Sequence, residues 1–189
     1  AVTTTAIAAM GTTNLAALTT TQLGGLSSAQ FLAMTTTQVA NLTGANLAAM
    51  TTTQIQGLKA SQITSLSASD IAEFTSTQIG ALSTTQLKSL TATTIGYLAD
   101  TQVAALTSTQ LQSLGTTQIA AFDATQVGAL AATQVAALTG AQVKGLTSTA
   151  VGALADTQIA ALTTTQVASL AASSLTSLNA TQIGAFTTT

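Results

Sequence analysis

From Thr3 to Phe186 the residue pattern repeats every eight positions, giving 23 octads with no insertion or deletion. Examples are TTTQIQGL at 51–58, TSTQLQSL at 107–114, DATQVGAL at 123–130 and TTTQVASL at 163–170. The consensus is T-x-T-Q-(I/V/L)-x-A-L. Octad n begins at residue 8n − 5, and its positions are called slots one to eight. A unit this short cannot bury a face of its own. Repetition at a fixed period restricts the chain to architectures in which neighbouring units cover one another.

Slots five and eight carry the pattern. Slot five runs from Ile7, Leu15, Leu23 and Phe31 to Leu175 and Ile183, and slot eight from Met10, Leu18 and Leu26 to Leu178 and Phe186. All 46 positions are apolar. They form the expected core ladder, with Ile55, Leu58, Ile63, Leu66, Ile79, Leu82, Val103, Leu106, Ile119, Phe122, Val135, Leu138, Ile159 and Leu162 as its members in the middle of the array. Slot three is always Thr, Ser or Ala, and slot four is Gln in 16 of the 23 octads. Slot six tolerates Gln56, Lys88, Gln112 and Lys144. Slot seven is Ala, Gly or Ser except at Asn41, Glu73 and Tyr97. Two core slots, two small packing slots and a solvent-facing remainder are expected.

One long helix does not fit this period. At 3.6 residues per turn the apolar stripe advances about 80° per octad and winds around the helix. A plain strand does not fit either, because slots five and eight have opposite parity and point to opposite faces. A short helix in every octad does fit. Slot one is mostly Thr, Ser, Asp, Asn or Gly, the residues that cap a helix N-terminus. Gln three residues later completes a capping box, and the preceding Leu and slot five occupy the positions of a hydrophobic staple. Lys59, Ala99, Ala131, Ala155 and Ala171 depart from this rule at slot one. So short a helix is not stable alone and needs neighbouring octads to cover it. The expected fold is an all-α solenoid of very short helices, one per eight-residue repeat. The competing reading is a β-solenoid, favoured by Thr, Ile and Val and by a stacked Gln ladder.

The expected organisation is a single array over 3–186, with 1–2 and 187–189 as partial flanking repeats. Both ends lie inside the repeat register, and the chain is expected to be a segment of a longer one. Composition narrows the function. Charged residues are 4% of the chain, against roughly a quarter in ordinary domains. The cations are Lys59, Lys88 and Lys144, too few to follow a phosphate track, so no nucleic-acid partner is expected. Thr and Gln interrupt every apolar run, so no membrane span is expected. There is no His or Cys, and of the carboxylates only Asp70 and Glu73 lie close together, which reads as a solvated substitution rather than a cation site. No base stands ready to activate a hydroxyl. Neither an enzyme nor a cofactor or metal site is expected. The Thr rows could order water against ice, but slots two and three vary more than an ice-matching lattice allows.

The TTTQIxxL and TTTQVxxL octads resemble the Thr/Gln/Ala-rich tracts of very large secreted bacterial surface proteins of adhesin type. The resemblance covers the whole chain. It implies an extracellular or cell-surface setting and an array of many more repeats. Locally, L-T-x-x-Q-V also resembles the first helix of transcription-activator-like effector repeats, but the base-reading loop and the lysines of that family are missing here. The functional expectation is a structural filament or stalk whose partner is another copy of itself. The alternative is a surface-binding module for ice, carbohydrate or a host surface.

Overall fold

A computed structural model describes residues 2–186. Among them the chain is all-α, with 23 helices from Thr4–Ala9 to Ala180–Gly184, one in every octad, and no strand. The β-solenoid reading is therefore set aside. The reason lies in the caps. Thr35 is extended (φ −74°, ψ 160°), and its hydroxyl accepts from the Gln38 N–H at 3.1 Å while Gln38 Oε1 accepts from the Thr35 N–H at 2.7 Å. Two of the donors that a helix N-terminus leaves orphaned are thus satisfied within one octad.

The octads that lack a polar slot one start helices as well. At Ala131 the N–H still donates to Gln134 Oε1 at 2.6 Å, and the Gln134 N–H turns to the Ala131 carbonyl at 2.9 Å. Lys59 and Ala155 repeat this arrangement with Gln62 and Gln158. The Gln half of the box survives without the hydroxyl half.

Each helix closes on a single tight bond from slot eight to the slot-five carbonyl, such as Leu58 N–H to Ile55 O at 3.0 Å. Slots eight and one are then extended, as at Leu90 (φ −67°, ψ 144°) and Thr91 (φ −73°, ψ 159°). Two extended residues turn every corner. No described residue has positive φ, so the corner demands neither Gly nor Pro, and Leu can occupy slot eight.

The chain divides into two compact units, Ala1–Tyr97 and Leu98–Thr189. In the first unit the helix of octad 4 lies against that of octad 1, octad 5 against octad 2, octad 11 against octad 8 and octad 12 against octad 9. In the second, octad 16 lies against octad 13, and octad 23 against octad 20. Within each unit, then, one coil takes three octads, with a helix along each of three sides and a two-residue corner between them. Each helix buries slot five toward the middle of its coil, and slot eight points inward from the corner. The mid-array ladder residues, from Ile55 and Leu58 to Ile159 and Leu162, lie between 0% and 8% exposed.

Slot seven is small because it rests on slot two of the coil before. A Cβ on Gly57 would stand 2.7 Å from the Ser28 Cβ three octads earlier. Ser65 Oγ donates to the Thr36 carbonyl at 3.0 Å, and Ser177 Oγ to the Ser148 carbonyl at 2.8 Å. Slot six is less free than its variety suggests. Gln56 and Gln112 donate to the Ala81 and Ala137 carbonyls at 3.2 and 2.7 Å, so even this slot ties coils together when Gln fills it.

Candidate functional site

The polar machinery of the molecule is the Gln at slot four, and sequence reasoning placed it only partly. It is a buried residue: Gln54, Gln78 and Gln142 are each 3% exposed. Its Oε1 caps its own helix. Its Nε2 points the other way, across the gap between coils. Gln38 Nε2 donates to the carbonyls of Ile7, Ala8 and Met10 at 3.0, 3.2 and 2.6 Å. Gln78 does the same to Leu47, Ala48 and Met50 at 3.0, 3.1 and 2.6 Å. In the second unit Gln158 reaches Val127, Gly128 and Leu130 at 3.1, 3.3 and 2.6 Å.

The acceptors always belong to slots five, six and eight of the octad four before. That offset follows from the coil. One turn takes three octads, and the Gln at the start of a helix sits above the end of the helix that precedes the one beneath it. The last carbonyls of a helix have no intrahelical donor, and a buried unpaired carbonyl is costly. One side chain therefore satisfies the start of its own helix and the end of another. The capping box and the ladder are the same residue. The spacing T-x-x-Q reveals the first role. Only the three-octad turn reveals the second.

Other polar residues make no comparable arrangement. Asp70 accepts from Ser67 N–H and Oγ at 2.9 and 2.7 Å within its own octad, and Glu73 lies over Gly44. No group of three or more His, Cys, Asp or Glu residues close enough to hold a metal ion occurs among the described residues. Nor is any described helix long and apolar enough to cross a membrane. The slot-three Thr side chains face solvent, as at Thr53, Thr77 and Thr125, and nothing in the structure explains why Thr prevails there.

The first and last coils expose different parts of the ladder. In octads 1 to 3 slot five is covered, with Ile7, Leu15 and Leu23 at 0–1% exposed, while Met10, Leu18 and Leu26 at slot eight are half-buried. With Val2, Gln22 and Gln30 these last three line an open cavity of about 360 Å³. In octads 21 to 23 slot five opens as well: Leu175 is 39% and Ile183 46% exposed and Val167 is half-buried, while at slot eight Leu170 is buried and Leu178 and Phe186 are half-buried. Between the ends both slots are buried. Within each unit, slot eight of a coil is thus covered by the coil before it, and slot five by the coil after it.

Comparison with known proteins agrees with the register. The family described as the ALTTAQ repeat matches residues 7–44 and 103–140. Both windows open at slot five and close at slot two, and ALTTTQ at 17–22 and 161–166 spells slots seven to four. No curated protein matches the chain. Over these windows the chain is similar to a tandem repeat family whose motif is the corner and cap described above.

Proposed function

We propose that the chain is a structural repeat module that forms an extracellular filament or cell-surface stalk, coil stacked on coil, with copies of the array joining head to tail. The observation that supports this is the stacking rule within each unit: slot eight of a coil is covered by the coil before it and slot five by the coil after it. The two faces of a coil are therefore unlike and complementary, and a further coil of the same octads, in this chain or in a copy, meets a surface shaped to receive it. A head-to-tail joint between unlike, complementary faces propagates as a filament when its rotation does not close a ring. A net charge of −2 gives little repulsion between copies. The extracellular setting rests on the resemblance to secreted bacterial surface repeats. On this reading the chain does no chemistry, and it needs no cofactor.

Sedimentation of the 189-residue chain over a concentration series tests the proposal. Rod-like oligomers that lengthen with concentration are expected. Leu18→Asp blocks one end and Ile183→Asp the other, so each variant alone should stay monomeric and a mixture should stop at pairs. A monodisperse monomer at high concentration overturns the filament reading and favours the surface-binding module.

A further inference from the structure

The Gln struts are not evenly distributed around the first unit. Its three coil sides carry slot-four residues in three columns. Two columns are clamped: Gln54 and Gln78 in one and Gln38, Gln62 and Gln86 in the other each reach at least two carbonyls across the coil gap. The third column, in octads 6, 9 and 12, reads Asn46, Asp70 and Thr94. These octads lie one above another, since octad 12 rests on octad 9 and Glu73 of octad 9 overlies Gly44 of octad 6.

Each replacement fails as a strut for its own reason. Asn46 is one methylene too short and makes a single 3.4 Å bond to the Leu18 carbonyl. Asp70 keeps the half that caps its own helix but has no N–H to offer the coil below. Thr94 bonds to Thr91 Oγ1 at 3.0 Å instead of crossing the gap. The Leu42 and Leu66 carbonyls, equivalent to those that Gln38 and Gln62 hold at Met10 and Met34, receive no donor from the described residues. The same column holds two of the three large residues at the otherwise small slot seven, Glu73 and the 61% exposed Tyr97. Small residues at slot seven let the helix above lie close on slot two. Under Glu73 slot two is glycine, and a Cβ on Gly44 would stand 3.1 Å from the Glu73 Cγ, a tight contact.

We propose that this side of the first unit is a compliant edge, along which the coils part first and admit water while the two clamped sides act as the hinge. It gives the unit a preferred direction of bending, which a stack of identical octads would lack. Local opening of this kind is read by hydrogen exchange.

The test is amide exchange, resolved by octad, on the full chain. Octads 6, 9 and 12 should exchange on the order of tenfold faster than octads 7, 10 and 11, the loss of one to two net hydrogen bonds per corner setting that scale. The triple substitution Asn46→Gln, Asp70→Gln, Thr94→Gln restores the consensus and should bring the three octads down to the rate of their neighbours. Octads 7, 10 and 11 should not change. Equal exchange on all three sides of the wild-type unit overturns the proposal. So does a triple variant that leaves the three octads fast, or one that slows every octad alike.

Discussion

Gln142→Glu is the sharpest test of the strut. The substitution is nearly isosteric and keeps the oxygen that accepts from the Thr139 N–H at 2.8 Å. What it removes is the Nε2 amide, which donates to the Leu111 and Leu114 carbonyls at 2.8 Å each, in a side chain only 3% exposed. A protonated carboxyl can still donate one bond, so at about pH 4 the loss is one net hydrogen bond, ~1 kcal/mol. An ionised carboxyl places a buried negative oxygen against two carbonyl oxygens. Burial and the carbonyl dipoles both disfavour the charged form and raise the carboxyl pKa in the folded state. Each pH unit of that rise costs ~1.4 kcal/mol once the group must ionise. A rise of about two units brings the total near 4 kcal/mol at pH 7. The sign follows from proton binding. Above the unfolded-state pKa the folded variant holds more protons than the unfolded one, so its stability falls as pH rises and levels off beyond the raised pKa. Urea unfolding followed by far-ultraviolet circular dichroism, for wild type and variant at both pH values, measures the difference. A loss at pH 7 within ~0.5 kcal/mol of the loss at pH 4 would refute the reasoning, because the amide could not then be facing buried carbonyls.

Leu106→Asp and Ile119→Asp, at positions 1% and 0% exposed, should each cost several kcal/mol (~3–5) and loosen the neighbouring octads, as seen by local hydrogen exchange. Gln112→Lys, which loses only an exposed bond to Ala137 O, should cost less than ~1 kcal/mol in the same urea assay. Gly57→Ala should destabilise by ~1–3 kcal/mol, since its Cβ would meet Ser28 Cβ at 2.7 Å, whereas Gly24→Ala, with nothing within 4 Å, should stabilise by up to ~1 kcal/mol in a melting comparison. Association of the chain should persist when the salt is raised from low to physiological ionic strength, because the end coils meet through apolar residues and not charges; dissociation by salt in sedimentation would place charged residues at the joint.

The helix in each octad was legible because its signals are local. Thr35 and Gln38 stand three residues apart, Val39 and Leu42 three apart, and every such pair speaks about one turn of backbone. The core ladder was legible for the same reason: two apolar slots that never fail must face inward. What escaped the sequence is everything that depends on the number of octads in a coil. Slot seven looks merely small until Gly57 is found against Ser28, 29 residues earlier. Slot four looks like a cap residue until Gln38 is found on Met10, 28 residues earlier. A period of eight is printed in the chain, but the three-octad turn comes from the angle at each corner. That angle is set by two extended residues whose identities, such as Leu90 and Thr91, do not announce it.

The same distinction explains why Gln, and no near relative, dominates slot four. A cap alone is served by several residues: Asp70 does it through its carboxylate, and Ser174 and Thr94 sit at N3 of helices that form without a Gln. If capping were the only demand, Asp, Glu, Ser and Thr would share the slot freely. A strut has stricter needs. It must offer a carbonyl oxygen to its own helix and an NH2 with two donors to the carbonyls of the coil below from one side chain, which leaves the two amides. It must also span the gap, and Asn46 shows that the shorter amide arrives at only one carbonyl, at 3.4 Å. Gln is the remaining choice. With almost no charge and much of its bulk in Ala, this chain has few other polar means of fastening coil to coil, and the near-constancy of Gln is the mark of that dependence. Where the constancy lapses, as it does on one side of the first unit, the fastening lapses with it.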